Sequence, residues 1–340
     1  MKCCGQCIGD RNISREIIPS LSKDKERCSY CGNDNRDVVE PIELREYFEA
    51  LLGIYIQDPT GKPLVELLRE DWAILDNEHM DTAHAKDLLS EILDDGEIVR
   101  QKFKPSLKCF SNSLREWRQL KEELKHKNRF FPETTIDLNR LSSLFPHLMT
   151  VGDELPEIWY RARSQEGRLS YPPEQMGAPP ENLASHGRAN PVGIPYLYLA
   201  SNKDTALSEI RPHTGERVSL GEFPLPNDLK YVDLRHPKKT VSPFILEDES
   251  EVATLRGDIQ FLERLGKELS RPVLPKSAAI DYIPSQFLCE LIKRQGFDGV
   301  LYGSSVGTGF NVAVFRAGAF SCHSVETCLV SRVSVEFENG

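Results

Sequence analysis

Long apolar runs and a surplus of basic residues are both missing from this 340-residue sequence. No run approaches the ~20 apolar residues that a membrane-spanning helix needs, and the opening residues MKCCGQCIGD lack the apolar core of a signal peptide. Lysine and arginine number 42 against 52 aspartate and glutamate residues, which gives a net charge of -10. A general nucleic-acid binder instead needs a basic surplus to meet phosphates. We therefore expect a cytoplasmic protein that contacts no membrane and does not bind nucleic acids in general.

Five of the nine cysteines lie within the first 31 residues. Four of them form two pairs with C-x2-C spacing: Cys4 with Cys7, and Cys28 with Cys31. Two such pairs can hold four thiolates tetrahedrally around a zinc ion, whereas a disulfide framework is unexpected in the reducing cytosol. The spacing therefore predicts a structural zinc knuckle over residues 1–40. Cys3 is an alternative first ligand, and a redox C-x-x-C pair or plain thiols is the other interpretation.

Residues 41–148 are predicted to form a small helical domain. An apolar stripe with helical spacing follows Pro41 and consists of Leu44, Tyr47, Phe48, Leu51, Leu52 and Tyr55. Further amphipathic patterns predict helices over 63–76, 82–94 and 111–128.

After residue 149 the pattern changes to short apolar segments separated by many proline and glycine turns. These segments predict strands at 158–162, 196–200, 231–234, 300–303, 313–316 and 333–337. Helices are predicted over 203–210, 250–268 and 284–295. The mixture predicts an α+β domain over residues 149–340.

Several polar side chains of this last domain have chemistry suited to a binding site. Arg161 is placed at the end of a strand and Arg188 in a turn of glycine and proline, where a guanidinium can present a rigid fork to a carboxylate or phosphate. Tyr198 offers a stacking face and a hydroxyl. Glu209 is a lone acid among apolar neighbours, and Ser304 follows an apolar strand. Taken singly, each also has a structural explanation, as a salt bridge or a core residue.

The order of these motifs resembles the RES-domain family, which is named for its characteristic Arg, Glu and Ser. In chain order, the matching segments are YRA at 160–162, APP at 178–180, GRANPVGIP at 187–195, YLYLA at 196–200, ALSE at 206–209 and YGSS at 302–305. Segments at 282–286, 296–299 and 309–311, with Phe315, match its C-terminal half, and the resemblance covers about residues 155–320. The first 150 residues resemble the cysteine-knuckle and HEPN-like helical segment found ahead of some RES domains.

The resemblance implies a mixed sheet similar to that of ADP-ribosyltransferase domains, and an enzyme that acts on NAD+. Many RES domains are toxins of bacterial toxin–antitoxin pairs that break the nicotinamide–ribose bond, with water or phosphate as acceptor. The implied partners are therefore NAD+, phosphate and an antitoxin or immunity protein. The family's catalytic positions fall on Arg161, Glu209 and Ser304. Its substrate-binding positions fall on Arg188, Tyr198 and Ser305, and the doubled serine leaves the register open by one residue.

Two other functions remain open at this point. A mono-ADP-ribosyltransferase that modifies a protein would have the same NAD+ site, and a non-catalytic, zinc-containing adaptor would use the knuckle and the helical segment to bind a partner. A HEPN-type ribonuclease would need an Arg-x4-6-His motif on a helix. Arg118 and His126 are one residue too far apart for this motif, and Pro146 lies between Arg140 and His147. We therefore do not expect ribonuclease activity.

Overall fold

The computed structural model describes residues 1–78, 80–106, 112–134, 136–226, 228–246 and 248–334. The strand predicted at 333–337 lies outside these residues except at 333–334, where the chain forms no strand. Within the described part, no helix is both long enough and apolar enough to span a lipid bilayer.

Thirteen strands and twelve α-helices are described. The strands are β1 (Cys3–Cys4), β2 (Lys25–Glu26), β3 (Arg36–Val39), β4 (Tyr55–Pro63), β5 (Lys102–Pro105), β6 (Met149–Thr150), β7 (Ile158–Ser164), β8 (Leu197–Ala200), β9 (Arg217–Pro224), β10 (Tyr231–Asp233), β11 (Gly299–Gly303), β12 (Phe310–Val314) and β13 (Ser324–Leu329). The helices are α1 (Gly5–Ile8), α2 (Ile18–Leu21), α3 (Arg45–Gly53), α4 (Leu64–Trp72), α5 (Thr82–Leu93), α6 (Ser113–His126), α7 (Leu138–Leu144), α8 (Lys203–Glu209), α9 (Pro237–Thr240), α10 (Glu249–Ser270), α11 (Ala278–Asp281) and α12 (Ile283–Arg294).

The chain forms two compact units. The first comprises Met1–Leu114 with His236–Glu263, and the second comprises Arg115–Arg235 with Arg264–Gly340. Helix α10 therefore begins in the first unit and ends in the second. The division into residues 1–40, 41–148 and 149–340 is a different partition of the chain, and it stays a prediction.

In the first unit, the apolar stripe that begins at Leu44 does not form one continuous helix. Helix α3 buries Phe48 and Leu51 and ends at Gly53, and β4 then begins at Tyr55 and pairs with β5. Tyr55 is held in the strand because its hydroxyl accepts a hydrogen bond from the Trp72 indole at 2.9 Å and donates one to Asp71. The expectation that this stripe, which ends at Tyr55, lies on one helix was therefore wrong.

An eight-stranded mixed sheet dominates the second unit, in the order β13-β9-β7-β8-β12-β11-β10-β6. The β10–β11 pair is parallel and the other pairs are antiparallel. Four predicted strands coincide with β7, β8, β10 and β11, and the fifth overlaps the end of β12. The predicted α+β class with a mixed sheet is confirmed, and its likeness to ADP-ribosyltransferase domains stays a prediction.

The middle of this sheet is joined by very little backbone pairing. Strand β7 pairs with β9 over all seven of its residues, but with β8 only at Tyr160 opposite Ala200. Strand β8 then continues along β12 through four pairs. Trp159 of β7 and Leu199 of β8 are fully or nearly fully buried. They belong to one hydrophobic cluster, which joins the parts of the sheet on either side of the β7–β8 junction. The two strands therefore pair only where β8 ends, at Ala200.

Candidate functional site

A cavity of about 470 Å³ is lined by residues from both sides of this junction. Its volume lies within the range of about 300–1,000 Å³ that is typical of small-molecule sites. The lining residues are Tyr160, Arg161, Ala162, His186, Gly187, Arg188, Tyr198, Leu199, Ala200, Ala206, Glu209, Ile210, Arg211, Val273, Pro275, Tyr282, Tyr302, Ser305 and Asn311. Five of the six residues predicted for the substrate site are among them, and the sixth, Ser304, contacts one of the five.

Glu209 is the last residue of α8, and its carboxylate is oriented by two donors. The Ser304 hydroxyl donates to Oε1 at 2.7 Å, and the Asn311 amide donates to the same oxygen at 2.6 Å. Asn311 lies on β12 and is 5% exposed, so its side chain is a rigid support. Among the described residues, both hydrogen bonds to this carboxylate therefore go to Oε1, which leaves Oε2 available to a ligand.

The two adjacent serines occupy different environments. The Ser304 hydroxyl accepts hydrogen bonds from the backbone N–H groups of Val306 and Gly307, at 3.2 and 3.1 Å. These contacts fix the turn after β11 and direct the hydroxyl proton to Glu209. Ser305, by contrast, lines the cavity. The structure thus brings Ser304 to the carboxylate and Ser305 to the open space.

Arg161 extends from β7 into a partly buried position. Its Nη1 donates to the carbonyl oxygens of Met176, at 3.0 Å, and Gly177. Burial lowers the pKa of Arg161 to about 10, with a smaller contribution from Arg163. The guanidinium therefore remains charged at neutral pH, and its other N–H groups can meet an anion.

Arg188 lies in the turn before β8 and is held from two sides. Its Nη1 donates to the carbonyl oxygen of Arg271, and its guanidinium carbon lies 5.3 Å from the centre of the Tyr282 ring. The Ser285 hydroxyl donates to the Arg188 carbonyl at 2.6 Å. Ser285, near the start of α12, thus fixes the backbone of Arg188, and the Tyr282 ring lies against the Arg188 guanidinium.

The hydroxyl of Tyr198 is committed to the same turn. It accepts from the backbone N–H groups of Ala189 and Asn190, at 3.0 and 3.2 Å, and donates to the Asn190 side-chain oxygen at 2.7 Å. Burial raises the pKa of Tyr198, so the phenol stays neutral. A Cβ at Gly187 would overlap both the hydroxyl and that oxygen, so only glycine fits there. The ring of Tyr198 lines the cavity while its hydroxyl shapes the turn.

Sequence reasoning missed two residues that complete the site. Asn311 was noted only as part of a matching segment, and nothing in its own spacing connects it to Glu209. Arg211 lines the cavity with an exposed side chain, two residues beyond Glu209. Its φ of 49° is left-handed, a conformation that glycine usually supplies after a helix. Such a backbone conformation costs an arginine of order 1–3 kcal/mol.

The four predicted zinc ligands converge in the first unit. The Sγ atoms of Cys4, Cys7, Cys28 and Cys31 all lie within 4.8 Å of one another. The Cys4–Cys7, Cys4–Cys31 and Cys7–Cys28 sulfur pairs are 3.9, 3.6 and 3.4 Å apart. Four sulfurs at ~2.3 Å from a tetrahedral zinc ion are about 3.8 Å apart, so this donor set fits zinc. Cys3, the alternative ligand, lies outside the cluster and pairs with Val39 in the small sheet.

Neither pair considered for a ribonuclease combines the required spacing with a position on one helix. Arg118 is exposed on α6, and His126 is the last residue of the same helix. Arg140 is on α7, and His147 is in the following 3₁₀ turn. Burial and the nearby Arg140 lower the pKa of His147.

Comparison with known proteins identifies the segment that builds this cavity. The family model of the RES domain matches residues 158–334, which is more than half of the chain. A chain in the crystal structure of the M. tuberculosis MbcT–MbcA toxin–antitoxin complex is similar at 16% sequence identity, with a TM-score of 0.33. That likeness covers 56% of this chain and 93% of the other. No curated protein gives a significant match.

Proposed function

The chain belongs to the RES-domain family, and we propose that it is an enzyme that consumes NAD+ by breaking the bond between nicotinamide and ribose. The observation that carries this proposal is the cavity in which one oriented carboxylate, Glu209, shares the lining with three arginines, Arg161, Arg188 and Arg211. A dinucleotide presents the complementary pattern, because its pyrophosphate is anionic and the reacting ribose becomes cationic.

The reaction needs positioning and negative charge more than it needs an acid. Nicotinamide is already a cationic leaving group, so it takes the electron pair of the C–N bond without protonation. The ribose C1 then becomes electron-poor, and water or phosphate adds to it; a water molecule loses its proton to solvent. We assign Glu209 Oε2 to the ribose, where its charge stabilises the developing cation.

The other residues bind and orient. Arg161 and Arg188 hold the pyrophosphate or an acceptor phosphate through the N–H groups that the protein does not use. The Tyr198 ring stacks on nicotinamide. Ser304 acts through Glu209, whose orientation it fixes at 2.7 Å, and Ser305 contacts the substrate directly.

The setting proposed for this activity is that of a bacterial toxin-type effector in the cytoplasm, held in check by an antitoxin or immunity protein. Its support is family resemblance, since many RES domains act in this way. A structural zinc ion in the four-cysteine cluster belongs to the same proposal. Four thiolates leave zinc no open position, so the ion would contribute folding free energy and take no part in the reaction.

The deciding experiment is proton NMR of NAD+ incubated with the purified protein, with and without phosphate. Nicotinamide release that requires phosphate identifies phosphorolysis, and release in its absence identifies hydrolysis. Nicotinamide release together with ADP-ribose on a protein would replace the proposal by a mono-ADP-ribosyltransferase. No turnover in any buffer would refute the proposed enzyme and favour a zinc-containing adaptor.

A further inference from the structure

Helix α6 lies ahead of the segment that matches the RES family, yet two of its lysines are nearly buried. Lys121 and Lys125 lie one turn apart on the same face, and their side chains are only 13% and 11% exposed. The helix is anchored on that side by the buried residues Trp117, Leu120 and Leu124. Burying an ammonium group is costly unless an opposite charge or a hydrogen-bond acceptor lies beside it.

Each lysine contacts a carboxylate that belongs to the family-matched segment. Lys121 Nζ lies 2.5 Å from Glu268, near the end of α10, and this glutamate is 2% exposed. Lys125 Nζ lies 2.7 Å from Asp281, the last residue of α11. The hydrogen bond from Lys125 is the largest cause that lowers the pKa of Asp281 to about 2. Both contacts are therefore short ion pairs at partly or fully buried positions.

Arg271 connects the two carboxylates. Its Nε lies 3.6 Å from Glu268, and its Nη2 lies 3.4 Å from Asp281. The charges thus alternate in sign from Lys121 through Glu268, Arg271 and Asp281 to Lys125. Arg264 Nε also lies 3.4 Å from Glu268. Because each carboxylate has at least two cations beside it, these groups stabilise one another as a network rather than as separate pairs.

This network holds, near both of its ends, a segment that forms one wall of the cavity. Residues 271–282 connect α10 to α12, and Val273, Pro275 and Tyr282 of this segment line the cavity. The segment is fixed by ion pairs near both of its ends, at Arg271 and at Asp281. The carbonyl oxygen of Arg271 also accepts the hydrogen bond from Arg188. Each lysine of α6 is therefore connected to Arg188 through three contacts: lysine to carboxylate, carboxylate to Arg271, and Arg271 to Arg188.

We propose that Lys121 and Lys125 are positioning residues for the nucleotide pocket, which they serve by holding the 271–282 wall and, through Arg271, the guanidinium of Arg188. This inference rests on the proposed function, since it assigns Arg188 to the anionic part of NAD+. It makes α6 a part of the working enzyme although the family match begins at residue 158.

The test replaces each lysine by methionine, which keeps the length of the side chain and removes its charge. Lys121→Met and Lys125→Met should each lower kcat/KM for NAD+ about 10-fold, chiefly through a higher KM, because a pyrophosphate contact is made equally in the ground and transition states. Asp281→Asn, of nearly unchanged shape, should have a similar effect, and Lys125→Arg should retain near wild-type kinetics. The matched control is Lys127→Met, at an exposed lysine just beyond the helix, which should change nothing.

Hydrogen–deuterium exchange provides a readout that does not depend on NAD+. In the two methionine variants, exchange should accelerate in the peptides that contain 187–190 and 271–282, while the control keeps the wild-type pattern. Unchanged exchange in these peptides would overturn the proposal, and so would faster exchange with unchanged KM. A kcat loss without a KM change would overturn the assignment to Arg188. If the wild-type protein does not turn over NAD+, the proposed function fails, and the exchange data alone still decide whether α6 positions the wall.

Discussion

Glu209→Gln is the substitution that most directly separates the chemistry of the cavity from its folding. Ser304 and Asn311 both donate to Oε1 of Glu209, and a glutamine carbonyl can accept the same two hydrogen bonds. The network then fixes the orientation of the new amide, because its NH₂ group cannot face the NH₂ group of Asn311. The position of Oε2 is thus taken by a neutral donor, and the negative charge is lost without a change of shape.

The expected loss follows from that geometry. If Glu209 stabilises the cationic ribose, the variant should lose about 10²- to 10³-fold in kcat, the scale measured when one preorganised electrostatic partner is removed. Its thermal midpoint should stay near the wild-type value. Glu209→Ala should lose the same activity and also some stability, because Ser304 and the buried Asn311 amide lose their acceptor at about 1–3 kcal/mol per unsatisfied group.

Nicotinamide release and thermal unfolding, measured on the same preparations, check this prediction. Glu222→Gln is the matched control, since Glu222 accepts a hydrogen bond from Ser324 at 2.8 Å on the same sheet but does not line the cavity. It should keep wild-type turnover. A Glu209→Gln variant within threefold of the wild type would show that this carboxylate is not the electrostatic partner of the reaction.

Three further predictions concern the metal and the cavity rim. The purified protein should contain about one zinc ion per chain by elemental analysis, which Cys28→Ser should lose and Cys3→Ala should keep; a metal-free wild type would refute the site. Tyr198→Phe should cost about 1–3 kcal/mol of unfolding free energy in a denaturant titration, because two backbone N–H groups lose their acceptor; an unchanged midpoint would mean that the hydroxyl does not hold the turn. Arg211→Gly should weaken NAD+ binding about 10-fold or more by calorimetry. It should also raise the unfolding free energy by about 0.5–1 kcal/mol, because the ~1–2 kcal/mol strain of a left-handed arginine exceeds the ~0.5–1 kcal/mol entropic cost of glycine. A gain in affinity would contradict the role given to this residue.

The ordered motifs allowed much of the second unit to be predicted because its site residues lie on strands or in the turns beside them. Strand β9 was missed for a physical reason. It contains Gly221 and Glu222, residue types that are depleted in strands. Its pairing with β7 on one side and β13 on the other stabilises the extended backbone, which the local sequence alone does not favour. Strand formation there is decided by tertiary contacts.

The roles of individual side chains were less predictable than their presence in the site. The sequence indicates that Tyr198 and Ser304 belong to it, but not that both hydroxyls are used inside the protein. The bonds from Ser304 and Asn311 to Glu209 join residues 95 and 102 positions apart in the chain, so local sequence does not indicate them. The charge network of α6 could not be predicted either, because its partners are about 150 residues away in the chain. Lysines at i and i+4 on a helix are by themselves typical of a solvated face.

The single paired position between β7 and β8 has a consequence for how this pocket can change in evolution. Beyond Tyr160 and Ala200, the two strands do not pair with each other, so the main-chain N–H and C=O groups there are not joined across the junction, beside which Arg161, Ala162 and Leu199 line the cavity. These N–H and C=O groups are present whatever side chains the strands have. Mutation can reshape the arginines and the carboxylate around them, but it cannot delete the polar main chain. The main chain at this junction is therefore the part of the cavity's surroundings that substitutions change least.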